Sequence, residues 1–220
     1  VVMLYLDSDM ERGTADQTVL KYMVYSGGAW SEPKQLDSND TADWGADIYE
    51  INGDIWAIYQ DAEEEFGDTV TTDQLADSFV IKAAQYDAES GSFGEPVSVS
   101  GSDGYNHSAA MGEVNGEPAA VWVNNTDTDF FGLNSSNSIM YSLCEQGTWS
   151  APAEYLNGQN TVTGLAIGDV DGAMQIAYMT DGDNDLSTAD DITLYTDGQT
   201  VSAGAISGLY IGELPSVSGD

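Results

Sequence analysis

Carboxylates at alternate positions dominate one short segment of the sequence. Between residues 181 and 191 the chain reads DGDNDLSTADD. A loop with this spacing can turn several carboxylates onto one hard cation, and Ca²⁺ accepts about six to eight oxygen ligands. The segment differs from an EF-hand loop, which has a glycine where Leu186 stands and a glutamate where Ile192 stands. We predict a calcium site formed by Asp181, Asp183, Asp185, and Asp190 or Asp191. The alternative is an acidic turn that is simply solvated.

Two shorter segments repeat the alternation of acids more weakly. Asp127 and Asp129 are separated by one residue in the first, and Asp7 and Asp9 are separated in the same way in the second. Each segment supplies two carboxylates, which is fewer than a calcium ion needs from its ligands. These four residues are therefore secondary candidates for metal binding.

A second candidate site is organised around the only histidine, His107. Any Ser-His-Asp or Cys-His scheme would have to use it as the general base, although a histidine in a loop is more often a polar surface residue. Aromatic rings beside amide and carboxylate groups suit the recognition of sugars, because rings stack on C–H faces and the polar groups bind hydroxyls. The predicted ligand-binding residues are Trp44, Tyr105, Asn106, His107, Asp40 and Asp43.

The overall charge limits the partners that such sites can have. The 220 residues include 38 acids against four basic residues, for a formal net charge of −34. This charge repels phosphate backbones and anionic lipid headgroups, so we expect no nucleic acid partner and no insertion into membranes. Cations, cationic surfaces and neutral ligands such as sugars remain. Simple solubilisation of a secreted protein is the alternative explanation of the charge.

Two series of markers repeat along the chain and indicate repeated structural units. A short aromatic-to-proline motif ends at three prolines spaced 63 and 56 residues apart, namely Pro33, Pro96 and Pro152. Tight-turn dipeptides keep the same spacing, at residues 52–53, 115–116 and 171–172. Asn-Gly and Asp-Gly between apolar runs are strong hairpin signals, because a type I′ turn needs a positive φ at both central positions.

The patterning within each unit predicts four antiparallel strands, as in a propeller blade. The fold class is therefore all-β, a β-propeller of four-stranded blades with about four blades in a single domain. The predicted blades comprise residues 1–37 plus 209–220, 44–100, 106–156 and 160–207. Residues 209–214 are expected to close the ring by pairing with residues 1–6, because an unpaired edge strand invites aggregation. Part of a larger ring is the alternative.

The turn between the third and fourth strands carries a resemblance to a known family. Residues 142–149, SLCEQGTW, resemble a degenerate Asp-box, and residues 25–30 form a shortened version of it. The units are similar to those of bacterial sialidase-like propellers and of propeller modules in large surface proteins. An Asp-box implies a fold and no activity. The resembling sialidases bind the substrate carboxylate with three arginines, whereas this chain has only Arg12.

These features together favour a non-catalytic, calcium-bearing propeller module of a secreted or cell-surface bacterial protein. It would serve adhesion or glycan binding, with a glycan or a protein held at the acidic loops. One alternative is a carbohydrate-active enzyme with paired acids at the propeller opening, since glycoside hydrolysis needs only two carboxyl groups. Another is a structural unit of a surface assembly formed by self-association. Cys144 is the only cysteine, and we expect it to be a buried thiol in a strand.

Overall fold

The computed structural model of the chain is built almost entirely of antiparallel β-strands. It describes residues 1–130, 136–188, 191–204, 206 and 209. Within these residues the strands form four sheets, which follow one another along the sequence and which we call blades 1 to 4. The strands of blade 1 are β1 (Val2–Ser8), β2 (Thr18–Ser26), β3 (Ala29–Trp30) and β4 (Lys34–Gln35).

Blades 2 to 4 share one plan, in which an inner strand is followed by three further strands. Two separate strands replace a continuous outer strand in blades 2 and 3, as in blade 1, because the chain is interrupted at the proline of each repeat. The strands of blade 2 are β5 (Asp43–Ile51), β6 (Asp54–Ala62), β7 (Phe79–Asp87), β8 (Ser92–Phe93) and β9 (Val97–Ser98). Those of blade 3 are β10 (Tyr105–Val114), β11 (Glu117–Asn125), β12 (Asn137–Glu145), β13 (Thr148–Trp149) and β14 (Ala153–Gln159). Those of blade 4 are β15 (Val162–Val170), β16 (Ala173–Thr180), β17 (Ile192–Thr196) and β18 (Gln199–Gly204).

The predicted tight turns join the first two strands of these blades. Asn52 and Gly53 have φ values of 54° and 85°, and the dipeptides at 115–116 and 171–172 have nearly the same values. Positive φ at both central positions is the backbone of a type I′ turn, whose twist matches that of the flanking strands. The register confirms this, since Ile51 pairs with Asp54 across the turn. The repeated markers therefore predicted these hairpins correctly.

One α-helix interrupts the strands of blade 2. Helix α1 (Thr72–Ser78) lies between β6 and β7, in a segment where the sequence predicts only a polar loop. Thr71 and Gln74 form a capping box, in which each side chain bonds the other residue's backbone N–H. Leu75 and Ala76 are buried beneath the helix against Phe79. Seven residues are too few for helical periodicity to stand out in the sequence.

Apolar side chains fill the space between neighbouring blades. Leu20 and Tyr22 of blade 1 pack against Tyr59 of blade 2. Ile58 and Trp122 belong to the next layer, between blades 2 and 3, and further apolar residues fill the layer between blades 3 and 4. In a β-propeller, successive blades pack face to face in sequence order, as they do here. The predicted all-β fold is therefore confirmed. The predicted closure of the ring by residues 209–214 lies almost wholly outside the described residues.

No helix among the described residues is long and apolar enough to cross a membrane. The single cysteine, Cys144, lies in β12 with 2% of its surface exposed, as expected for a packed thiol. Burial raises the pKa of this thiol, which leaves it protonated and unreactive at neutral pH.

Candidate functional site

The loops that carry most of the predicted site residues meet at one end of the blades. We call this end the loop face. Its segments contact one another: Arg12 donates to the carbonyl oxygens of Asn39 and Thr41, and Thr14 donates to Asp68. The tight turns lie at the opposite end of the strands, because each first and second strand run antiparallel. The loop face carries one row of aromatic side chains and two groups of acidic side chains.

An aromatic row crosses the loop face from blade 2 to blade 3. The Trp44 ring lies 5.1 Å from the Phe79 ring and 5.4 Å from the Phe130 ring, measured between centroids. Phe130 stacks on Tyr105, which in turn stacks on His107 at 4.5 Å. The structure thus brings together three of the predicted ligand-binding residues. Beside Trp44 lies a cavity of about 290 Å³, lined by Thr14, Ala15, Thr18, Trp44, Asp68, Val70 and Leu75.

His107 is a neutral histidine at the end of this row. Its Nδ1 atom lies 2.9 Å from Ser108 Oγ, and its Nε2 atom is buried without a hydrogen-bond partner. Burial lowers the pKa of the imidazole to about 4, and the nearby carboxylate of Asp129 only partly opposes this shift. The ring is therefore uncharged at neutral pH. A base of such low pKa is poorly matched to nucleophile activation near pH 7.

Asn106 is a buried connector between strands. Its Nδ2 atom donates to the carbonyl oxygens of Phe79, Gly101 and Gly104. Its Oδ1 atom accepts hydrogen bonds from Trp122 Nε1 and Asn124 Nδ2, both at 3.0 Å. These bonds leave the side chain facing the protein interior, so Asn106 orients the strand that carries Tyr105 and His107.

The two predicted acids of blade 2 lie in different environments. Asp40 is exposed and pairs with Arg12 at 3.3 Å. Asp43 is fully buried, and its Oδ2 atom accepts the backbone N–H of Leu20 at 2.8 Å. In the segment that precedes Asp43, Asn39 and Thr41 donate side-chain hydrogen bonds to Asp61 Oδ1 at 2.5 and 3.2 Å, and Arg12 donates to the carbonyl oxygens of both residues.

Asp43 belongs to a cluster of three carboxyl groups, Asp37, Asp43 and Asp61, which we call the blade 2 cluster. One oxygen atom from each lies within 4.8 Å of the others. Lys82 approaches Asp61 to 2.6 Å and Asp37 to 4.0 Å. Tyr59 donates its hydroxyl to Asp37 at 2.8 Å. A buried group of acids of this kind requires such compensation, because each unpaired charge is costly away from water.

The carboxyl groups of the blade 2 cluster differ in how they hold a proton. Burial, together with the neighbouring carboxylates of Asp37 and Asp61, raises the pKa of Asp43 to about 8. Burial also raises the pKa of Asp37, against the hydrogen bond from Tyr59. Asp43 therefore carries a proton at neutral pH, while Asp61 holds the ion pair with Lys82. A protonated and an ionised carboxyl group side by side are what acid–base catalysis uses.

A second acidic group, the blade 4 cluster, lies in the predicted calcium loop. Oxygen atoms of Asp181, Asp183 and Asp191 lie within 4.8 Å of one another. Asp185 is not part of the group, because its Oδ1 atom accepts hydrogen bonds from the backbone N–H and the hydroxyl of Ser187. Asp190 lies outside the described residues.

The secondary metal candidates are not brought together in this way. Asp7 forms an ion pair with Lys21 at 2.7 Å, and Asp9 lies 3.7 Å from Arg12. Asp127 accepts a hydrogen bond from Ser136. Among the described residues, only the blade 2 and blade 4 clusters place three acidic ligand atoms this close.

Sequence reasoning missed most members of the blade 2 cluster. Asp37 and Asp61 lie 24 positions apart in the chain and meet only when blades 1 and 2 pack. One signal was available: Lys82 interrupts the apolar run of β7, and a lysine in a buried strand implies a buried acidic partner.

Comparison with known proteins places this architecture among propellers that act on carbohydrates. A family-43 glycoside hydrolase superposes with a TM-score of 0.51 and 14% identity, covering 94% of this chain and 74% of that chain. An ulvan lyase of polysaccharide lyase family 25 gives 0.55 and 14%, covering 92% and 54%. The sialidase of Trypanosoma rangeli gives 0.51 and 15%, covering 93% and 34%. The chain thus spans about half of the lyase and a third of the sialidase.

No family model and no curated protein matches the sequence. Identities of 14 and 15% show a shared fold, which is the β-propeller predicted from the repeats. They give no support to the Asp-box itself, although the turn at residues 146–147 does join the third and fourth strands of blade 3.

The expectation of a non-catalytic adhesion or glycan-binding module is corrected by these comparisons. The propellers that share the fold are a glycoside hydrolase, a polysaccharide lyase and a sialidase. They favour the alternative, a carbohydrate-active enzyme. The sequence misled because it offers no catalytic motif, and the acids that lie together in the fold are distant in the chain.

Proposed function

We propose that this chain is the propeller portion of a carbohydrate-active enzyme of the glycoside hydrolase type, with its glycan on the loop face. The observation that carries the proposal is the blade 2 cluster, which pairs a protonated carboxyl group, Asp43, with an ion-paired carboxylate, Asp61. Glycoside hydrolysis uses one carboxylic acid to protonate the leaving oxygen and one carboxylate to stabilise or attack the anomeric carbon.

The spacing of the two acids favours one of the two stereochemical courses. Their nearest oxygen atoms lie within 4.8 Å. Inverting enzymes separate their carboxyl groups by about 6.5–9.5 Å to admit a water molecule, whereas retaining enzymes keep them about 5–5.5 Å apart. The pair therefore suits retention, with Asp43 as the acid and Asp61 as the carboxylate.

We propose that the segment 38–42, whose Asn39 and Thr41 side chains donate to Asp61, controls access to the pair. Asp43 and Asp61 are 0% and 1% exposed, so a glycan reaches them only when this segment moves. Loops that close over reacting groups are common in enzymes, since they exclude water from the reaction. The Arg12 hydrogen bonds to Asn39 and Thr41 hold the closed position. The cavity beside Trp44 adjoins the same region and offers an aromatic face for a sugar ring.

The charge of the chain restricts the glycan to a neutral one. Each of the four basic residues already contacts an oxygen of the protein: Arg12, Lys21, Lys34 and Lys82. No basic side chain of the described loop face is thus available for a uronate or sialate. A neutral polysaccharide is expected to be the substrate. The extracellular location expected from the sequence is part of the same proposal, because polysaccharides of this kind are met outside the cell.

The test is a reducing-sugar assay on a panel of neutral polysaccharides, with anionic ulvan as a comparison. On the neutral substrate that is cleaved, Asp43→Asn and Asp61→Asn should each lower kcat by about 10²-fold or more. The matched control is Asp54→Asn, an exposed acid at the opposite end of the same blade, which should leave kcat unchanged. Trp44→Ala should raise KM more than it lowers kcat. Full activity in folded Asp43→Asn would refute the assignment.

A further inference from the structure

The blade 4 cluster contains buried oxygen atoms that the protein leaves without a partner. Asp181 is 0% exposed, yet its Oδ2 atom accepts no hydrogen bond. The Oδ1 atom of Asp191 is likewise buried and without a hydrogen-bond partner. A buried carboxylate oxygen in this state loses its hydration and gains nothing from the protein in return. The arrangement is explained if something else binds these atoms.

The remaining bonds of the loop hold these oxygen atoms in place. The Oδ1 atom of Asp181 accepts the backbone N–H groups of Asp183 and Asp185, both at 3.2 Å. The segment that precedes β15 holds the loop through Asn160, which donates to the carbonyl oxygen of Gly182 at 3.0 Å. Asn184 accepts the backbone N–H of Thr161 at 2.7 Å. The free Oδ2 atom of Asp181 thus points into a loop whose backbone is fixed.

The chain supplies no positive charge to this cluster. Its four basic side chains all contact oxygen atoms in blades 1 and 2, and the only histidine is neutral. Three carboxylates with oxygen atoms within 4.8 Å of one another repel. Each pair costs on the order of 1 kcal/mol even in bulk water. A cation from solution is the remaining source of compensation.

We propose that Asp181, Asp183 and Asp191 bind one calcium ion. All donors in the cluster are carboxylate oxygens, and no histidine or cysteine is present to favour zinc or copper. Calcium accepts an irregular shell, which waters and backbone carbonyls can complete, whereas magnesium demands a tight octahedron. Asp185 takes no part, because its carboxylate is engaged by Ser187. The ion fastens β17 to β16 at the loop face, independently of any activity of blade 2.

The structure itself offers a matched substitution for testing this site. In blade 3 the equivalent loop begins with Asn125, whose Oδ1 atom accepts the N–H groups of Asp127 and Asp129 at 3.0 and 3.2 Å. Its amide nitrogen donates to Asn137 at 3.0 Å. An asparagine therefore makes the same turn hydrogen bonds as Asp181. Asp181→Asn should keep the fold, replace the unpartnered oxygen atom by an N–H donor and remove the calcium ligand.

The experiment is calorimetry on EDTA-treated protein, with thermal melts in EDTA, in millimolar CaCl₂ and in millimolar MgCl₂. The unaltered chain should bind one calcium ion, and its Tm should rise by about 5–10 °C when free calcium is about 100 times the Kd. Magnesium should have little effect. Asp181→Asn should bind no calcium and should melt higher than the unaltered chain in EDTA, because one repelling charge is gone. Asp183→Asn, at an exposed position, should weaken binding without altering the fold.

The control is Asp127→Asn in the equivalent loop of blade 3, which should leave the calcium response unchanged. Three results would overturn the proposal. The first is an unaltered chain whose Tm ignores calcium. The second is Asp181→Asn with the full response of the unaltered chain. The third is a response that Asp127→Asn abolishes and Asp181→Asn preserves.

Discussion

The blade 2 and blade 4 clusters hold the same number of acids and balance them in opposite ways. In blade 2, Lys82 lies 2.6 Å from Asp61, and burial keeps a proton on Asp43. Blade 4 has no basic residue near Asp181, whose Oδ2 atom has no hydrogen-bond partner in the protein. Both clusters contain buried oxygen atoms without a hydrogen-bond partner, Asp37 Oδ1 and Asp43 Oδ1 in blade 2 and Asp181 Oδ2 and Asp191 Oδ1 in blade 4. The clusters differ in charge: blade 2 has a cation of its own in Lys82, and blade 4 has none among the described residues.

The difference shows why a count of acids says little about function. A cluster of acidic side chains that includes a lysine and a bound proton is suited to proton transfer, as in the proposed hydrolase site. A cluster of acidic side chains that lacks a lysine and a bound proton is suited to binding a metal ion. The two outcomes follow from one lysine in the apolar run of β7 and from the absence of a counterpart in β17.

The largest effect is expected from removing the internal cation of blade 2. Lys82→Met leaves the buried Asp61 without its cation and with only the neutral donors Asn39 and Thr41. Loss of one partner of a buried ion pair costs about 3–5 kcal/mol in the free energy of unfolding. Urea denaturation at pH 7 measures this. The control, Lys34→Met, removes an exposed lysine that donates to the Gly91 carbonyl and lies 5.9 Å from the centre of the Tyr22 ring, and it should change the value by less than about 1 kcal/mol. Equal losses in the two variants would contradict internal compensation.

The second effect is a dependence on pH that belongs to Asp43. Its folded-state pKa of about 8 lies above the usual 3.8, so the folded protein holds a proton that the unfolded chain has released. The free energy of unfolding therefore falls as pH rises from about 4 to about 8, by up to about 1.4 kcal/mol per pH unit. Asp43→Asn removes this contribution, so the difference between the two proteins should change across that window and level off above it. Parallel pH curves would show that Asp43 holds no such proton.

The smallest effect is expected at Asp185, the acid of the calcium motif that lies outside the blade 4 cluster. Asp185→Ala removes hydrogen bonds to Ser187 on the surface, so the Tm should fall by less than about 2 °C, as for most exposed positions. The rise in Tm with calcium should be retained in full. A loss of that rise would show that Asp185 is a calcium ligand, contrary to its exclusion from the blade 4 cluster.

Sequence reasoning succeeded where the determinants are local. Asn52 and Gly53 dictate a turn through their own backbone preferences, and the repeat of that signal predicted the blades. The loop at 181–191 was found for the same reason, since its acids are neighbours in the chain. Helix α1 was missed because its capping box spans only four residues and its buried face only three.

The sequence by itself determined an all-β fold, its hairpin turns and a strongly acidic character. Only the tertiary structure decided which acids meet and in what state. Asp37 and Asp61 come together because blade 1 packs on blade 2, and Asp43 gains its proton because that packing excludes water. Turn formation depends on the φ and ψ preferences of a few adjacent residues, whereas a pKa depends on every charge and dipole within several ångströms. The fold could therefore be predicted from the chain, while the chemistry of its acids depended on the packing of the blades.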